Sequence, residues 1–204
     1  MKKSLKHFLV LLAVCVTGFS QILNAQSAYK ISDSKENDMK LSGTSTIHDW
    51  VMEAKTFTGE AQFVLKPGTE NQLISITDLA FSLVVTNLKS DKKKLDMNAY
   101  EALKATQHKN IFYTLISAKV SPGGENKYLI TTEGNLNIAG FRKEVTMNVY
   151  GVVNKDGTIT CTGTYKLKMT DYQVTPPSFM LGAMKAGDDL ILDFTLVYKK
   201  QPGI

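Results

Sequence analysis

Residues 128–153 read YLITTEGNLNIAGFRKEVTMNVYGVV, and this stretch decides the fold. Apolar and polar side chains alternate on both sides of Ala139-Gly140. Period-two alternation means strands with one buried face, because successive side chains on a strand point to opposite sides. Val145, Met147 and Val149 share one side of the second run. Ala139-Gly140 leaves only a short reversal between the runs, so they pair as an antiparallel hairpin.

The pattern repeats on either side. Upstream, the alternating residues 111–120 end at Ser121-Pro122-Gly123-Gly124-Glu125-Asn126, a run of strong turn formers. Downstream, Asn154-Lys155-Asp156-Gly157 carries an Asp-Gly hairpin signal before the alternating residues 158–169. Four consecutive segments between 111 and 169 thus form an antiparallel meander. Further strands are read at 39–46, 51–65, 73–86 and 189–198. Leu79, Phe81, Leu83 and Val85 share a face in 73–86, as do Leu190, Leu192, Phe194, Leu196 and Tyr198 in 189–198. Lys66-Pro67-Gly68 separates 51–65 from 73–86.

One segment does not alternate. Leu95, Ala99 and Leu103, with Ala102 beside them, recur at helical spacing, which predicts a helix over 95–105 capped by Asp96. Residues 87–94 and 171–188 read as irregular. The latter holds Pro176-Pro177, which predicts no regular pairing there. About eight strands in one domain suggest a sandwich or a closed barrel. An eight-stranded barrel either fills itself with side chains or holds one small ligand.

The start of the chain has a different character. Met1 to His7 is short and basic, and Phe8 to Phe19 is apolar. A polar stretch ending in Leu23-Asn24-Ala25 follows. That order predicts a secretory signal peptide over 1–25 and one mature domain over 26–204. The apolar run is shorter than the roughly 20 residues needed to span a bilayer, and the mature chain carries no longer one. Export to a periplasm is the leading expectation, with secretion beyond it as the alternative. Cys15 reads poorly as a lipidated cysteine, because Val14 precedes it and the apolar run continues after it. Without Lys2, Lys3 and Lys6 the mature chain has 21 basic against 19 acidic side chains. Such a balance gives no footprint for nucleic acid. The one basic run, Lys92-Lys93-Lys94, reads as a solvated loop.

Chemistry-bearing residues are sparse. Cys161 is the only cysteine left after Cys15 departs with the leader, so no intrachain disulfide is expected. His48 and His108 are the only mature histidines, and neither has the close spacing to other ligands that zinc motifs show. No Gly-x-Ser-x-Gly elbow occurs, and Asp188-Asp189 would point to opposite faces of a strand. No catalytic residue, cofactor or metal is expected. His48-Asp49-Trp50 is the most chemically loaded short run. It reads either as a strand end with Trp50 in the core, or as a head-group contact formed by His48 and Trp50.

Three stretches resemble the YceI-like family of exported proteins, over roughly residues 28–199. Gly134-Asn135-Leu136-Asn137-Ile138-Ala139-Gly140-Phe141-Arg142-Lys143-Glu144-Val145-Thr146 is similar to a Gly-x-Leu … Gly-x-x-basic-x-Val-Thr pattern. Gly163 to Tyr172 is similar to a second pattern that ends in Thr170-Asp171-Tyr172. Asp91 to Tyr113 resembles a short helix leading into a strand. Thr44 to Trp50 departs from the family's opening pattern, with His48 able to stand for its histidine, and Pro176 to Leu181 is a second departure.

The resemblance implies an all-β fold: an eight-stranded antiparallel lipocalin-like barrel with one short helix between strands. It also implies binding of a long-chain lipid or isoprenoid, and brings no catalytic motif. Phe81, Leu83, Leu115, Leu136, Met147, Val149, Tyr165, Leu167, Phe194 and Leu196 fall on the inward faces. They are core if the barrel is filled and ligand lining if it is hollow. Leu103, Phe179 and Met180 are expected at the mouth. The sequence leaves the oligomeric state open, including a homodimer.

Overall fold

The computed structural model describes residues 26–69, 71–179 and 183–202. The expected signal peptide lies outside them. The strands are β1 (Gln26–Ile31), β2 (Asp38–Ser45), β3 (Trp50–Ala54), β4 (Thr58–Leu65), β5 (Leu73–Val84), β6 (Asn110–Gly124), β7 (Lys127–Ile138), β8 (Phe141–Val153), β9 (Ile159–Lys168), β10 (Ser178–Phe179) and β11 (Met184–Lys200). One helix, α1 (Lys93–Ala102), lies between β5 and β6.

Eight strands close into a ring in the order β1-β4-β5-β6-β7-β8-β9-β11, sealed where β11 pairs antiparallel with β1 at Ile31↔Tyr198. Closure removes the unpaired edges that an open sheet would expose. The β6–β9 meander is as read from the sequence, and the Ala139-Gly140 reversal has φ of 51° and 86°. Two positive φ values in a two-residue loop match the twist of the flanking strands.

Several boundaries differ from the reading. The stretch 51–65 is two strands, and β1 closes the ring without a strong alternating signal. β1 and β2 lie one after the other along β11, with β4 paired to β1 and β3 to β2. β4 forms a full ladder with β5, whereas beyond β3 the sheet continues only through a bridge from Glu53 to Lys89. The barrel wall is therefore thin on that side, and α1 comes down beside it. Pro176-Pro177 does not abolish pairing: Ser178 and Phe179 pair with Lys185 and Met184. The last strand begins at Met184, earlier than expected, across a register shift between Ala186 and Leu190.

Helix α1 starts earlier and ends earlier than predicted. Its N-cap is Lys92, without a side-chain cap. Asp96 is not the cap. It sits buried in the first turn and accepts hydrogen bonds from the Ser90 N–H and hydroxyl, both at 2.7 Å. The far end closes through Lys104 at φ 51°, with the Ala105 N–H donating to the Tyr100 carbonyl. The Tyr100 hydroxyl reaches the Leu88 carbonyl at 2.7 Å and ties the helix to the turn Val85–Asn87.

Two apolar groups make up the core. Tyr29, Phe63 and Tyr198 stack edge to face, with centroids 5.1 and 5.3 Å apart, and pack with Ile159 and Val153 to seal one end. The other group centres on Tyr172, Leu136, Val145 and Leu190. It occupies the region where β8 and β9 part, since their ladder stops at Val149↔Gly163. The turn Thr170–Tyr172 fills that split, and Asp171 meets Lys143 of β8 at 2.7 Å.

Candidate functional site: a hollow barrel with a basic mouth

The space between the two groups is a cavity of about 570 Å³. That lies within the usual range for small-molecule pockets. Tyr198, Cys161 and Ile130 lie at the sealed end, all buried, and Leu95, Ala99, Ala102 and Leu103 of α1 form part of the wall. The lining is almost wholly apolar, and no Asp or Glu contributes to it.

Burial tells the same story. Phe81, Met147, Val149, Leu167, Leu192 and Phe194 face inward yet are only half buried, while Ile159 and Tyr198 below them are sealed. An inward residue in a filled barrel is sealed by its neighbours. Here the surface that stays accessible faces the cavity.

Of the residues singled out from the sequence, Phe81, Leu83, Leu103, Leu136, Met147, Val149, Leu167, Phe194, Leu196, His48 and Trp50 line this space. Two inward candidates do not. The Tyr113 ring lies over Gly134, the cross-strand partner of Leu115, and takes the interior position at that level. Leu115 packs into the core beside it. Tyr165 sits where β8 and β9 no longer pair, and packs into the second group with Tyr172 and Met147. The side chains of Phe179 and Met180 lie outside what the structure describes.

Other contributors had weaker signals. Leu95 and Ala99 are the apolar stripe of α1, visible at helical spacing once the helix is known to lie across the barrel. Met39, Leu41 and Met52 come from the β2–β3 hairpin. Lys92-Lys93-Lys94 is no loop: Lys92 caps α1 and the other two begin it. Lys92 and Lys94 reach the mouth, with Lys168 and Lys185 from β9 and β11 and His48 from the β2–β3 turn.

The polar chemistry is confined. Burial pushes the Cys161 thiol up to about 12 and raises Tyr198, Tyr172 and Tyr113. The Tyr172 and Tyr198 hydroxyls are buried without a protein hydrogen-bond partner among the described residues, while the Tyr113 hydroxyl lies against the Thr132 side chain. Each can donate to an oxygen of a bound molecule, and a buried hydroxyl left unsatisfied costs about 1–3 kcal/mol. A thiol held protonated is a poor nucleophile. His48 Nδ1 lies 3.0 Å from the Asp49 carbonyl, and Nε2 lies 3.4 Å from Lys92 Nζ. With Lys92 donating, Nε2 accepts and Nδ1 carries the proton. His108 packs on Gly140 and does not line the cavity. The Trp50 indole N–H donates to the Thr44 carbonyl at 2.9 Å. The two readings of this tryptophan therefore merge, since it is anchored in the wall and still faces the interior. No group of three or more His, Cys, Asp or Glu able to hold a metal occurs among the described residues. No helix among them is long and apolar enough to cross a membrane.

The model of the YceI-like domain matches residues 29–198. Among solved structures, BcnA of Burkholderia cenocepacia is 20% identical with a TM-score of 0.57, covering 82% of this chain and 98% of that one. A polyisoprenoid binding domain from Saccharophagus degradans, implicated in plant cell wall breakdown, is 11% identical with a TM-score of 0.64, covering 86% and 99%. The YceI protein of Campylobacter jejuni is 17% identical with a TM-score of 0.51, covering 71% and 82%. At these identities the likeness is one of fold. No curated protein matches the chain.

Proposed function

The chain belongs to the YceI-like family, and from that premise we propose that it is an exported, non-enzymatic carrier or store of a long-chain amphiphile, isoprenoid or fatty-acid-like. The observation that carries this reading is the half-buried, apolar lining of the cavity of about 570 Å³. The tail runs along the barrel axis and the head group stays at the mouth. The solved domain from Saccharophagus degradans, described as polyisoprenoid binding, lends the reading support.

The energetics are sufficient. Each buried methylene contributes about 0.8 kcal/mol, so a tail of about 15 carbons gains roughly 12 kcal/mol gross. Association and ordering cost at least about 4 kcal/mol. The remainder, about 8 kcal/mol, corresponds to roughly micromolar binding. The non-enzymatic part of the reading draws on a deep interior that offers one protonated thiol, the hydroxyls of Tyr113, Thr132, Tyr172 and Tyr198, and no carboxylate.

Native mass spectrometry of the purified exported protein, followed by organic extraction, tests this. A stoichiometric adduct that extracts as a long-chain lipid is the expected result. A chain that stays at its own mass after incubation with isoprenoid quinones and fatty amides overturns the carrier reading in favour of an interaction module.

A further inference from the structure

The charged side chains that line the cavity carry one sign, and the chain as a whole does not. Without the leader the charges nearly balance, 21 basic against 19 acidic. Yet the polar residues lining the cavity include Lys92, Lys94, Lys168, Lys185 and His48, and no carboxylate. These cations come from separate elements: the start of α1, the end of β9, the start of β11 and the β2–β3 turn. Their convergence follows from the barrel's topology and not from one basic run.

Three nearby acids are already engaged, although Asp49 and Asp91 lie exposed beside His48 and Lys92 without lining the cavity. The Asp96 carboxylate is held by Ser90. Asp188 accepts from the Thr170 N–H at 2.9 Å and its hydroxyl at 2.7 Å. Asp189 meets Lys168 at 3.4 Å, so Lys168 is partly neutralised. Lys92 and Lys185 form no ion pair among the described residues. Lys92 Nζ instead lies 3.4 Å from His48 Nε2. The His48 ring accepts one Lys92 N–H and so positions the ammonium, whose remaining donors face the mouth with no ion-pair partner among the described residues. Long lysine stems can lie along the apolar wall while their ammonium groups stay at the water boundary. A charge-assisted hydrogen bond formed there is shorter and stronger than a neutral one.

We propose that the mouth selects an anionic head group, a carboxylate or a phosphate, held chiefly by Lys92 and Lys185 with His48 positioning Lys92, so that the ligand is an acidic single-chain amphiphile. This rests on the carrier reading. The tail supplies affinity whatever the head, and the mouth supplies the preference between heads. The competing view is that these lysines are solvated and serve only solubility.

The test compares matched pairs, with affinity read by isothermal titration at about pH 8, where carboxylates are ionised. Hexadecanoic acid is set against hexadecanamide, and farnesyl monophosphate against farnesol. Each acid is expected to bind about tenfold or more tightly than its neutral partner at low salt. The gap is expected to narrow at about 500 mM salt, where screening is strong. In the full-length exported protein carrying both K92Q and K185Q, the gap should largely close while affinity for the neutral partners holds. Thermal unfolding of that variant checks that it is folded. The larger of the two acid gaps says whether carboxylate or phosphate is the preferred source of charge.

Equal binding of acid and neutral partners overturns the anionic preference and leaves the carrier reading standing. A gap that survives K92Q and K185Q also overturns the assignment to these residues. If none of the four molecules binds, the carrier reading falls as well.

Discussion

Trp50 lies flat across Gly43, its cross-strand partner: a Cβ at Gly43 would fall 2.6 Å from the indole Cε2. The glycine is there because the ring is, and the ring forms part of the cavity wall. Gly43→Ala is expected to displace the indole and cost about 1–3 kcal/mol, as overpacking does. Trp50 is the only tryptophan in the chain, so its emission reports the change directly. A red shift with a lowered denaturation midpoint is expected. Unchanged emission would mean that the ring has room to slide, and that the wall is softer than the contact implies.

Filling the cavity separates a hollow barrel from a packed one. Val149 and Leu192 are half buried and line the space from β8 and β11. Changing both to Phe adds volume where the structure has room. Stability should stay within about 1 kcal/mol, since the new rings meet no packed neighbour, whereas the same change in a close-packed core costs about 1–3 kcal/mol or more. Lipid recovered with the purified variant should fall severalfold. A large loss of stability with lipid content intact would place the ligand elsewhere.

Alkaline pH should unfold the protein by a predictable route. Burial lifts Cys161 to about 12 and also raises Tyr198 and Tyr172. In the unfolded chain these groups ionise near ordinary values, about 8.5 for the thiol and about 10 for the phenols. Between ordinary and raised values the unfolded state binds fewer protons, so stability falls as pH rises, by up to about 1.4 kcal/mol per pH unit per group. The contribution is intact below about pH 8 and erodes from about pH 9, more steeply above 10. Urea midpoints across this range check it. Cys161→Ala and Tyr198→Phe should each flatten the slope. A midpoint that stays level to about pH 11 would show that these groups ionise in the folded protein.

The β7–β8 turn is strained on one side and tight on the other. Ala139 holds φ 51° without glycine's freedom. Gly140, at φ 86°, has His108 against it, with a Cβ falling 2.8 Å from the ring Nε2. Ala139→Gly should stabilise by up to about 1 kcal/mol, and Gly140→Ala should destabilise by about 1–3 kcal/mol. Thermal melts of the pair test both signs. If both changes destabilise, the alanine methyl packs more than its backbone strains.

How much of this was legible depends on the physics behind each residue. The β6–β9 meander could be read because inward positions there are apolar at every second residue and the turns announce themselves. Tyr165 and Leu115 also alternate inward, yet neither lines the cavity. A strand separation decides the first and the Tyr113 ring the second, and both are tertiary facts with no local signature. β1 escaped because Gln26 to Ile31 is short and polar on its outer face, and closure of the ring supplies its pairing. The basic mouth was the least visible part. Lys92, Lys168 and Lys185 are far apart in sequence, each unremarkable alone, and only the fold of β9, β11 and α1 brings them to one opening.

The same helix gives the last prediction, because its attachment decides how the opening behaves. Asp96 is buried in the first turn of α1 and holds Ser90 by two 2.7 Å hydrogen bonds, one from the backbone and one from the hydroxyl. A carboxylate in a first helical turn is also favoured by the helix dipole. Asp96→Ala removes both bonds and strands the Ser90 N–H, which should cost about 1–3 kcal/mol. Ser90→Ala removes only the hydroxyl bond and should cost less. Elements with few anchors open first, so the loss should concentrate in α1 and spare the β6–β9 meander. Hydrogen exchange would show α1 amides losing protection while β7 and β8 keep theirs, and bound lipid would leave faster. Uniform loss of protection across both regions would mean instead that Asp96 stabilises the whole barrel, and that α1 does not open on its own.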